Sequence, residues 1–96
     1  MITNLENVYS VLKEIVHYAR TGSYSDAASK LNSCLQDMQP ILLSGTIPPE
    51  YLKKLTYSLE TVFLMQKQND WVAVADIIEF ELPVLLKETF QSVDNK

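Results

Sequence analysis

Glu14 and His17 stand three residues apart in "KEIVHYAR", the spacing with which a helix offers a carboxylate and an imidazole to one metal ion. A binuclear site of that type requires a second such pair and two further carboxylates. His17 is the only histidine in the chain, so no such centre is expected, and no metal or other cofactor is assigned. Asp76, Glu79 and Glu81 form the densest acidic group, and paired carboxylates can do acid–base work. On a helix Asp76 and Glu79 share one flank and Glu81 takes the other, which suits a solvated rim better than a catalytic pair. The serines stand at caps and turns without a base beside them, and no histidine in the sequence pairs specifically with Cys34. No catalytic residue, no enzyme activity and no small-molecule substrate are therefore expected.

His17 has a second possible chemistry. At 100° per residue it lies roughly 140° from the centre of its helix's apolar stripe, so it should be exposed. In "HYARTG" it is followed by Arg20 and Gly22. This resembles histidine phosphotransfer domains, four-helix bundles with one exposed helical histidine followed closely by a basic residue and a glycine. The resemblance implies His17 as a phosphoacceptor in a signalling domain. It departs at Thr21-Gly22, which reads as a helix end where the family's helix runs on.

Composition narrows the field further. Ninety-six residues, 47% hydrophobic and 21% charged, suit one globular domain over 1–96 with a core that needs no metal or disulfide staple. Two glycines and few β-branched runs favour helices over sheet. A net charge of −4 with no basic cluster argues against nucleic acid, whose binding rests on grouped Lys and Arg. Cys34 is the only cysteine, which excludes an internal disulfide and suits a reducing compartment. The stretch "MITNLENVYS" lacks the basic and apolar regions of a signal peptide, and no apolar run approaches the ~20 residues of a membrane span. A cytoplasmic protein is expected.

Four helices carry these residues. Thr3 and Glu6 can form a capping box before Leu5, Val8, Tyr9, Leu12, Ile15, Val16 and Ala19, which recur at helical spacing. Thr21-Gly22 ends this helix, with Gly22 free to take the left-handed cap conformation. Ser23 or Ser25 caps the second, whose apolar face is Tyr24, Ala27, Ala28, Leu31, Leu35 and Met38, and which Pro40 bends or ends. After the breaker "SGTIPPE", Pro49 suits the first turn of a third helix carrying Leu52, Leu55, Leu59, Val62 and Phe63 inward. Asn69 or Asp70 caps the fourth, through Trp71, Val74, Ala75, Ile78, Leu82 and Leu85, with Pro83 kinking or ending it. An offset of 47 residues lays Leu5 on Leu52, Leu12 on Leu59, Ala28 on Ala75, Leu35 on Leu82 and Tyr24 on Trp71. The expected fold is all-α: an antiparallel four-helix bundle of two αα-hairpins, about 3–43 and 48–93, each wedging an aromatic against its partner.

A surface is left over. Phe80 lies nearly opposite the stripe of the last helix, with Ile77 and Val84 beside it, and Tyr57 and Leu64 lie opposite the stripe of the third. A helix apolar on two faces is central in an assembly or meets a partner, so these five residues are the candidate partner-binding strip. The last helix, "NDWVAVADIIEFELPVLL", resembles a recurring phrase in small helical proteins of Gram-positive bacteria, some linked to motility genes. The whole chain resembles small bacterial helical proteins of the flagellar export chaperone type. That resemblance implies a cytoplasmic protein that binds another protein's helix and keeps an unassembled subunit soluble. Homodimerisation through the same strip is the nearest variant.

Overall fold

The computed structural model describes residues 5–94, all-helical with no strand among them. α1 runs Leu5–Arg20, α2 Tyr24–Leu42 and α3 Pro49–Lys67. The fourth helix is continuous but not uniform: α4 (Trp71–Asp76), a π turn (Ile77–Glu81) and α5 (Leu82–Asp94). The capping role read for Thr3 lies outside the described residues.

The turns after α1 and α3 are built alike. Gly22 takes φ +86°, and the Ser23 amide reaches back to the Tyr18 carbonyl at 2.9 Å. Asn69 takes φ +59°, and the Asp70 amide reaches back to the Met65 carbonyl at 2.8 Å. Each is a left-handed residue that closes a helix by satisfying carbonyls of its last turn, and asparagine tolerates that region better than most side chains. The residues correspond pair by pair at the same 47-residue offset. The next helix starts differently in the two halves. The Asp70 carboxylate accepts from the Ala73 amide at 3.1 Å, whereas Ser23 occupies the N-cap position without a side-chain bond.

Neither internal proline ends its helix. Pro40 sits exposed near the end of α2, where the missing amide bond is lost from a terminal turn, and α2 continues to Leu42. Before Pro83 the turn widens instead, and the Leu82 amide bonds to the carbonyl of Ile77, five residues back. In a regular α-helix the proline ring would press on the carbonyl of Glu79, and the wider turn relieves this. One extra residue in a turn delays the helix by about 100°. The buried face therefore passes from Ile78 and Leu82 to Leu86, Thr89 and Phe90. Leu85, expected in the core, is half-buried, and Leu86 takes that place.

One apolar cluster draws on all four helices: Leu12, Ile15 and Ala19 meet Ala27, Leu31 and Met38, Leu55 and Val62, and the buried face of the last helix. Burying a large aliphatic side chain contributes about 1.5–3 kcal/mol each. α1 packs on α2 and on the last helix, and α3 on the last helix; α2 and α3 make little close contact. Trp71 is buried and stacks on Tyr24, ring centroids 5.2 Å apart and planes within 7°. Phe63, expected inward, stands on the flank of α3 at 43% exposure.

Candidate functional site

The two faces of α1 diverge. Glu14 turns toward α2, where the Lys30 ammonium meets its Oε1 at 3.0 Å, and that hydrogen bond holds the lysine above its ordinary pKa. His17 is exposed and lines the groove between α1 and the last helix. The carboxylate and imidazole, though at metal-ligand spacing, thus face different neighbours. Among the described residues no group of three or more His, Cys, Asp or Glu could hold a metal ion.

The groove beside His17 encloses about 520 Å³, floored by Leu12, Val16 and Ile78 and bordered by Tyr9, Lys13, Glu79 and Pro83. It is fastened at both ends. Arg20 Nη2 donates to Glu79 Oε1 at 2.6 Å and to Asp76 Oδ1 at 2.9 Å, and these bonds, Glu79 first, raise the guanidinium pKa. Asp76 and Glu79 share a flank as expected, but they bind α1 rather than only edge a surface. At the other end the Tyr9 hydroxyl donates to the Pro83 carbonyl at 3.4 Å, and burial pushes the phenol pKa up. Cys34 is buried, which raises its thiol pKa, with Asp37 adding to the effect. Such a thiol is a poor nucleophile at neutral pH.

The residues of the candidate strip are placed as follows. Phe80 and Val84 on the last helix, and Tyr57 and Leu64 on α3, are exposed; Ile77 is half-buried against the core. Neither Phe80 nor Val84 lines the groove beside His17 or the grooves that hold Leu64 and Phe63. Leu64 instead lines a groove toward α2 of about 570 Å³ with Phe63, Glu60, Lys67 and Asn32. A neighbouring cavity of about 450 Å³ continues it along Leu35, Gln36, Gln39, Thr56 and Leu59. Phe63 was missed as a surface residue. Its angle, nearly a quarter-turn from the line through Leu55, Leu59 and Val62, was the available signal.

The two grooves correspond. Tyr9, Lys13, Val16 and His17 sit 47 residues before Thr56, Glu60, Phe63 and Leu64, and Glu79 and Pro83 sit 47 after Asn32 and Gln36. Compared with models of protein families, with curated proteins and with solved structures, the chain finds no match in any of the three. No helix among the described residues is long and apolar enough to cross a membrane.

Proposed function

We propose that the chain is a non-enzymatic protein-interaction module of chaperone or adaptor type acting in the cytoplasm. Its two αα-hairpins form an antiparallel four-helix bundle. The bundle receives an amphipathic helix of another protein on the apolar strip of its last two helices, Tyr57, Leu64, Ile77, Phe80 and Val84. The exposure of four of these, with Phe80 at 65% and Tyr57 at 69%, is the observation that supports the reading. Large apolar side chains held in water on two neighbouring helices are what the apolar face of a partner helix would cover. Homodimerisation is the variant in which the partner is the chain itself.

The test is capture from a lysate with tagged protein, running Phe80→Asp beside the wild type and checking both by circular dichroism. The expected result is one protein held by the wild type and lost, at least tenfold, by a variant of unchanged helicity. A folded variant that still holds the partner equally well would remove this surface from the reading.

A second reading, phosphotransfer through His17, is favoured by the exposure of that imidazole at the groove mouth. Two observations oppose it. Arg20, the basic residue of the motif, is held by two carboxylates, and Glu79 borders the same groove, where it would repel a phosphoryl group. Incubation with a phosphorylated response-regulator domain should label the wild type and not His17→Gln if this reading holds. Equal labelling of both proteins, or of neither, discards it.

A further inference from the structure

The two corresponding grooves are built alike and held differently. Between α1 and the last helix, Arg20 grips Asp76 and Glu79. Its counterpart Lys67 has, in place of those carboxylates, the uncharged counterparts Ser29 and Asn32. None of the ion pairs among the described residues includes Lys67 or Glu60. α2 and α3 make little close contact, and the groove between them stays open, with Phe63 and Leu64 exposed at its edge.

We propose that a second copy of this chain docks on this edge, the two α3 helices crossing antiparallel on a two-fold axis between Phe63 and Leu64. Glu60, Phe63, Leu64 and Lys67 follow at i, i+3, i+4 and i+7 and so share one face of α3. The order is self-complementary. A two-fold axis at its midpoint sets Glu60 opposite Lys67 and Phe63 opposite Leu64, twice each. The rest of the groove is lined by uncharged Asn32, Gln36, Gln39 and Thr56. Two chains of net charge −4 thus meet where neither presents an uncompensated charge, and the groove offers no net charge to attract a strongly acidic or basic stranger. One helix crossing buries less than the roughly 800 Å² per partner of a stable complex, so the dimer is weak and concentration-dependent. The proposal rests on reading the chain as an interaction module and shares Leu64 with the strip above, but it leaves Phe80 to a different partner.

The experiment is sedimentation equilibrium from micromolar to millimolar concentration on the wild type, Glu60→Lys, Lys67→Glu, the double exchange and Phe80→Asp, each first shown helical. The wild-type mass should rise toward twice that of the monomer. Each single exchange sets like charges opposite each other at two places and should weaken association about tenfold or more, and the double exchange should restore it. Phe80→Asp should dimerise as the wild type does. A wild type that stays monomeric throughout overturns the proposal, as do single exchanges that dimerise unchanged. Loss of the dimer in Phe80→Asp would overturn it in favour of self-association through the last helix. Loss of a lysate partner with the mass unchanged would bear only on the strip.

Discussion

Individual side chains make the most direct predictions. Ser58 is buried on α3 and its hydroxyl has no hydrogen-bond partner, whereas the equally buried Thr89 donates to the Leu85 carbonyl at 2.6 Å. A buried hydroxyl left unpaired is destabilising and alanine is the better helix former, so Ser58→Ala should raise stability by about 1 kcal/mol in urea unfolding. Burial raises the Tyr9 phenol above its ordinary value of 10.0, so the folded state holds that proton more tightly than the unfolded chain. The associated stability is present below pH 10 and is lost as pH rises through the folded pKa. Tyr9→Phe should flatten that part of the alkaline fall in melting temperature. Cys34 should react with a disulfide reagent in the native protein far more slowly than in urea, since both burial and a raised pKa withhold the thiolate. At this scale the sequence was readable where periodicity ruled, as for Ile15, Leu31 and Val62. It was silent on Arg20, whose partners lie 56 and 59 residues away on another helix.

At the scale of elements, the position of the fourth helix was plain and its phase was not. Asp70, Trp71 and Ile78 announce where it starts and which face is buried, while Pro83 announces only that something must give. A kink, a stop and a widened turn all relieve the same clash, and they send the following residues to different faces. The widened turn puts Leu86 and Phe90 in the core in place of Leu85, the residue that a count at 3.6 per turn from Trp71 through Ile78 favours. It acts as a one-residue insertion. Deleting Phe80 together with Pro83→Ala should therefore give a cooperatively folding protein with a regular last helix. The deletion alone should melt well below it, because the proline then lies in an unrelieved α-helix, a cost of about 3 kcal/mol. Deleting exposed Ser10 from α1, which has no widened turn to absorb the loss, should lower the melting temperature without preventing folding, since half-buried Val8 and Tyr9 would fall out of phase with Leu12 and Ile15. Thermal melts followed at 222 nm distinguish the three.

At the largest scale, residues 5–94 form a rod of 41 × 22 × 20 Å with a radius of gyration of 13.0 Å, close to the roughly 12 Å expected for that length. The 47-residue offset was visible in the apolar register and in Arg20 lying over Lys67. Its deeper expression was hidden in a glycine and an asparagine that share no chemistry except tolerance of positive φ. Also hidden was that Lys67 joins no ion pair among the described residues, since Ser29 and Asn32 stand where Asp76 and Glu79 serve Arg20. The buried cluster spans both halves, so heat should unfold them in one transition, with calorimetric and van't Hoff enthalpies agreeing. Trp71 is the chain's single tryptophan, and its ring lies flat against Tyr24 from the other half. The protein thus carries its own optical label at the seam. In a stopped-flow refolding experiment, ellipticity would clock the winding of helices while indole emission clocks the meeting of the halves. The two events can be timed separately without attaching a dye.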